Sequence, residues 1–303
     1  MASNTNNLPP NGPWNINYDA DVCQLARTFG SGKDRVLLQL QSYNMQTGLH
    51  VLIAGNAFAT KHPLPLPPPA TGKAKQKYLG EKPGDAFRNK FTIQFGPVGK
   101  EQEFTPRAAM LRLSADEEPV PALMGGETSV DDRHEADPTG MTPERVEAPD
   151  TALEAAVTWV QVRMPDGALT KLATGSLAQP LAALHACSTD LVKSWGIPID
   201  DPALAPVVLP APRTSPAQWV TWKDFPVDEL RAKTNAMVRF RLMVDAKGKV
   251  TSCHIQDATR NVELTRVTCQ LLKARAAFNP ARNAAGGAVP GYYTNALLWA
   301  SPQ

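Results

Sequence analysis

Side chains able to do chemistry are few and scattered in this chain. The five histidines, His50, His62, His134, His185 and His254, fall at no metal-ligand spacing. The four cysteines, Cys23, Cys187, Cys253 and Cys269, form no Cys-x-x-Cys pair. His185 stands two residues from Cys187, and a thiol beside an imidazole is the pairing of a nucleophile with its base. On a helix, residues two apart do not face each other, so no dyad is expected there. His254 follows Cys253 on a strand, where neighbours point to opposite faces. The run Gly30-Ser31-Gly32-Lys33 carries the tail of a phosphate-loop pattern. However, Arg27 stands where the first glycine belongs, and Asp34 where magnesium needs a hydroxyl. A hairpin turn is the expected structure. No Gly-x-Ser-x-Gly elbow and no Asp-Thr/Ser-Gly run occurs. The acid pairs Glu117-Glu118 and Asp131-Asp132 lie in a polar stretch, and a solvated carboxylate does not act as a raised-pKa acid. No catalytic residue, metal or cofactor is expected.

The elements that could position a site divide the chain in two. At 303 residues and 43% apolar, it is long enough for two cores. A strand-rich first domain is expected over 12–199, with strands near 14–18, 22–29, 35–42, 49–54, 87–95, 109–113, 155–164 and 169–174. Leu181, Leu184, Leu191 and Trp195 share one face of a helix that Gly196 ends, with Cys187 between them. Residues 63–69, all proline and leucine, read as an extended spacer. Residues 114–150 read as a long exposed acidic loop, and the proline-rich 200–216 as a semi-rigid linker. The net charge of +2 argues against a general polyanion binder, so no nucleic-acid partner is expected. No run of about 18 apolar residues occurs, so no membrane span is expected.

The last part, 217–303, is the most informative. Val238, Phe240, Leu242 and Val244 alternate with Arg239 and Arg241, as on a half-buried strand whose arginines form a basic solvent face. Gly248 centres a turn, 250–255 returns, and Leu264, Val267, Leu271 and Leu272 mark a helix. A final strand runs over Tyr292, Tyr293, Thr294, Asn295, Ala296, Leu297, Leu298 and Trp299. In so small a sheet a terminal strand is expected at an edge, where it can accept another chain's backbone. The whole is α+β: a strand-rich N-terminal domain with one C-terminal helix, then a small ββαβ domain with an antiparallel sheet and one packed helix.

Phe225-Pro226 before a short helix, Val244-Asp245 ending a strand, Gly248 in the turn, Phe278 with Pro280-Ala281, and the glycine-to-proline segment 287–290 occur in that order. This pattern resembles the C-terminal domain of the TonB family, over roughly a quarter of the chain. The resemblance implies a non-enzymatic periplasmic protein that binds a partner by strand addition, linked to TonB-dependent envelope transport. The implied partner is a segment of an outer-membrane receptor or another envelope protein. The same edge can alternatively pair with a second copy to make a homodimer. The N-terminus is polar and shows no signal peptide, so either the signal or anchor segment has been removed from the chain as given or the protein is soluble in the cell as written, and the four cysteines favour the first. With the resemblance to a periplasmic family, bridges Cys253–Cys269 and Cys23–Cys187 are expected. Two other connectivities, and four buried thiols, stay open as alternatives. The rival reading is an enzyme or envelope adaptor whose site lies in the first domain.

Overall fold

The computed structural model describes residues 5–46, 48–59, 91–104, 107–130, 141–258 and 261–300. Its first part holds strands β1 Thr5–Leu8, β2 Asn15–Tyr18, β3 Cys23–Phe29, β4 Val36–Ser42, β5 Leu49–Ala54 and β6 Phe91–Gly96. They are followed by β7 Glu101–Phe104, β8 Arg107–Leu111, β9 Val120–Thr128, β10 Trp159–Arg163 and β11 Leu169–Leu172. One sheet has the order β2-β3-β4-β5-β9-β8 and the other β1-β11-β10-β6-β7. Two helices, α1 Thr151–Ala156 and α2 Ala178–Ser194, complete this part.

Alternation explains the core. On β4, Val36, Leu38 and Leu40 are buried while Leu37 and Gln39 are half-exposed. The inward residues of both sheets, such as Leu38, Ile53, Phe95 and Val160, meet Leu181 and Leu184 of α2 in one continuous core. Cys187 reaches from α2 to Cys23 on β3, a bridge with Cα atoms 5.9 Å apart. The fold class is the expected α+β, and β5 occupies 49–54 as read from the sequence.

Three segments differ from the sequence expectations. The acidic stretch is not a continuous loop, because β9 runs through it and pairs with both β5 and β8. Pro121 and Gly125-Gly126 concealed this strand, since such residues ordinarily mark loops. Residues 155–164 are not one strand either. Asp150 Oδ1 accepts from the Leu153 amide and caps α1, and the strand begins only at Trp159. The proline-rich 200–216 is not a free linker. Val208 bridges to Arg145 and Arg282, and β12 Ala211–Pro212 pairs with β15 Phe278–Asn279. The spacer read at 63–69 lies outside the described residues.

The C-terminal part is a ββαβ unit. It contains α3 Val227–Arg231, β13 Ala236–Val244, β14 Val250–Ala258, α4 Val262–Arg275 and β18 Gly291–Trp299. Two short strands, β16 Ala281–Arg282 and β17 Ala288–Val289, precede the last one. The antiparallel order is β14-β13-β18. Asn261 starts α4 by accepting from the Leu264 amide at 2.8 Å, and Leu264, Thr268 and Leu272 face the sheet. Cys269 on α4 is bridged to Cys253 on β14, with Cα atoms 5.6 Å apart. Both expected bridges are therefore formed, and the other two connectivities are not. Gly248 turns at φ +82°, and a Cβ there would lie 1.9 Å from the Phe278 carbonyl oxygen, so only glycine fits.

Residues 219–225 lie beside α4. Asp224 receives two bonds from Arg275, at 2.7 and 2.8 Å, and one from the Thr221 amide at 2.8 Å. The Arg275 guanidinium, helped by Thr221 and opposed by burial, holds the Asp224 carboxyl well below the usual carboxylate range. A carboxylate depressed in the folded state stabilises the fold above its unfolded pKa and loses that contribution as pH falls through the folded value. Asp224→Asn should therefore cost about 1 kcal/mol at neutral pH, with allowance for solvent at its rim. The gap from the parent should close progressively below about pH 4 in urea titrations. Replacing Cys253 and Cys269 together by Ser should cost about 3 kcal/mol, and replacing Cys23 and Cys187 about 5, because the second loop is far longer. Unfolding with and without reductant measures both.

Candidate functional site

The two edges of the C-terminal sheet differ. In the β13–β14 ladder, Arg239 pairs with Asp257 but Phe240 with Ile255, and Met243 pairs with Ser252 but Val244 with Val250. β14 thus carries two extra residues, Gln256 and Thr251, each a bulge that bends the strand and spoils its outer edge. β18 pairs with β13 over nine consecutive residues without a shift, from Gly291 opposite Val244 to Trp299 opposite Ala236. No charged side chain lies on it. Among the described strands, β13 is its only partner.

The direction of its free groups follows from the pairing. Thr251 Oγ1 donates to the Met243 carbonyl, so that carbonyl faces β14. Alternation along β13 then turns Val238, Phe240 and Leu242 toward Leu297, Asn295 and Tyr293. The backbone groups of Tyr292, Thr294, Ala296 and Leu298 point outward. In keeping with this, the Ala296 amide donates to Asn295 Oδ1 at 2.7 Å instead of to β13. All eight residues expected at the edge therefore lie on one strand, with Tyr292 and Trp299 buried at its ends and the six between half-buried. The Tyr292 ring packs on Trp195 at 5.1 Å, and Trp299 Nε1 donates to Thr268 Oγ1 at 2.9 Å.

Arg239 and Arg241 do not form an open basic face. Their side of the sheet packs on the first domain. The Arg241 guanidinium lies 4.2 Å from the Trp195 ring centroid, with Nη1 3.7 Å from Asp21 Oδ1. The Arg239 guanidinium lies 4.2 Å from the ring of Tyr43, with Nη2 3.4 Å from His50 Nδ1. His254 Nε2 reaches Asp21 Oδ1 at 2.7 Å. Gln256 donates to the carbonyls of Asp21 and Tyr43, and Asn44 donates to Thr294 Oγ1 at 2.8 Å. Burial lowers the Arg241 pKa, only partly opposed by Asp21, and raises those of Tyr43 and Tyr292. Alternating arginines on a strand read as a solvent face whenever the covering domain is far away in sequence. Asp21, Tyr43, His50 and Trp195 carried no signal that linked them to β13.

Elsewhere, Cys187 is committed to its disulfide. His185 instead bonds Glu154, Nε2 to Oε1 at 2.7 Å. Glu154 Oε2 is buried without a partner beside a cavity of about 10 Å³ lined by Leu49, Val130, Asp150 and Leu181, roughly the space of one water. Among the described residues, no three His, Cys, Asp or Glu side chains gather as a metal site. No helix among them is long and apolar enough to cross a membrane.

The seam between the domains separates two contributions. Arg241→Met keeps the stem on Trp195 and deletes a desolvated charge, so it should change stability by less than about 1 kcal/mol. Trp195→Ala should cost about 3 kcal/mol. Thermal and urea unfolding of both variants would show which dominates.

Compared with family models, curated proteins and solved structures, the chain matches none.

Proposed function

We propose that this chain is a non-enzymatic periplasmic protein that captures an extended segment of a partner protein as an added strand along β18. The observation that carries the reading is the contrast between the sheet's two edges. β14 is bulged twice, whereas β18 is regular, uncharged and, among the described strands, paired on one side only. Main-chain bonds to Thr294, to Leu298 and to the Ala296 carbonyl supply generic affinity, and the partner's alternate side chains supply selectivity. The seam favours this role, since it holds β18 in place before a partner arrives and lowers the entropy lost on binding. Resemblance to the TonB family points to a receptor segment from the outer membrane as the partner, in TonB-dependent transport. Two disulfides fit an oxidising compartment. The cavity beside His185 in the first domain has room for about one water and lends no support to a substrate site there.

Titration calorimetry of the full chain with short receptor-box peptides tests the mechanism. Proline at an outward amide removes a docking donor while sparing the ladder to β13. Leu298→Pro should weaken peptide binding by about tenfold or more with the fold retained by circular dichroism. Peptide binding within twofold of the parent would rule out strand addition at β18.

A further inference from the structure

The two disulfides differ in their surroundings. Cys23 and Cys187 are 0% and 2% exposed and lie in the continuous core of the first domain, among Leu25, Leu184 and Leu191. Cys253 and Cys269 are half-buried. Their bridge joins α4 to β14, a rim strand of the C-terminal sheet among the described strands. Ser252 and His254 flank it on the strand, Arg266, Gln270 and Lys273 on the helix, and all five are exposed. A thiolate in solvent can therefore reach these sulfurs, and cannot reach the other pair without opening the core. Arg266 is held by Glu263 at 2.7 and 3.0 Å, whereas Lys273 has no acid partner among the described residues. Lys273 stands one turn after Cys269 on the same side of α4, so its ammonium favours a thiolate leaving from Cys269.

The bridge also bears on the final strand. Thr268, next to Cys269, is fully buried. Its Oγ1 donates to the Leu264 carbonyl at 2.7 Å and accepts from Trp299 Nε1 at 2.9 Å. Adjacent residues of one helix thus tie both rims of the sheet: Cys269 holds β14, and Thr268 holds the last residue of β18. We propose that Cys253–Cys269 is a thiol–disulfide exchange site, and that a dithiol reductant acting there loosens the end of β18 while leaving Cys23–Cys187 closed. A thiolate of the reductant attacks Cys253 Sγ, the bond between the two sulfurs breaks, and the electron pair leaves on Cys269 Sγ beside Lys273. The reductant's second thiolate then attacks its own sulfur in the mixed disulfide and frees Cys253. The reductant ends as a disulfide, having given up two electrons and two protons, and the protein holds two thiols. With the covalent tie gone, α4 stays on the sheet through Leu264, Thr268 and Leu272 and through Arg275 on Asp224. The helix is then free to shift against β14, and the anchor of Trp299 shifts with it. This control acts on the firmness of the strand, so it stands whether or not a partner adds to β18.

Limited treatment of the full chain with dithiothreitol, followed by iodoacetamide and mass spectrometry, reads the order of opening. Cys253 and Cys269 should be labelled at least about tenfold faster than Cys23 and Cys187. Lys273→Gln, at an exposed position, should slow that opening about threefold. In the form with only this bridge open, amide hydrogen exchange at Leu297 and Trp299, which pair with β13, should rise at least about fivefold, with exchange along β3 unchanged. Equal labelling rates for the two bridges would overturn the proposal, as would earlier labelling of Cys23 and Cys187. Exchange at Leu297 and Trp299 equal to that of the oxidised chain would sink it as well, since the bridge would then have no influence on β18. An opening rate unaffected by Lys273→Gln would remove Cys269 as the departing sulfur.

Discussion

Two guanidinium groups seated over two aromatic rings decide how this molecule is assembled. Arg239 on Tyr43 and Arg241 on Trp195 fasten the C-terminal sheet against the first domain. The arrangement is not cheap. Arg241 Nε and Nη1 are buried without a hydrogen-bond partner, and the Asp21 carboxylate stands slightly too far off to satisfy them. A buried cation left partly unsatisfied gains little net stability. What it supplies is position. An aromatic stack and a carboxylate accept a planar cation in few orientations, so the sheet docks in one pose. That pose covers one face of β13 and β18, while α4 covers the other. The outer ladder of β18 is then the part of the sheet left open.

The remaining ties keep that frame rigid. The segment read as a linker is a strap, with Val208 between Arg145 and Arg282 and Pro212 against Phe278. Pro210 and Ala281 close over Gly291, which anchors the start of β18. Asp224 and Arg275 fix the chain before α3 to the end of α4. Each disulfide stays within its own half, joining a helix to the sheet it covers.

Much of this was legible in the sequence, for definite reasons. The ββαβ unit could be read because β13 alternates strictly and α4 has apolar residues at helical spacing, both local signals. The spacing of Leu181, Leu184 and Leu191 marked α2 in the same way. The β9 strand was not legible, because its proline and paired glycines suit loops and its partners β5 and β8 lie far off in the chain. The exposure of Arg239 and Arg241 was misread because a strand pattern shows that two faces differ and does not show what covers the polar one.

The bulges of β14 also bear on assembly. With one rim distorted by Thr251 and Gln256 and the other straight, the small sheet can grow in one direction only. Among the described strands this small sheet has one regular flank, so two copies meeting through it would saturate that flank. Stacking this sheet end on end needs two usable flanks, and its described strands provide one.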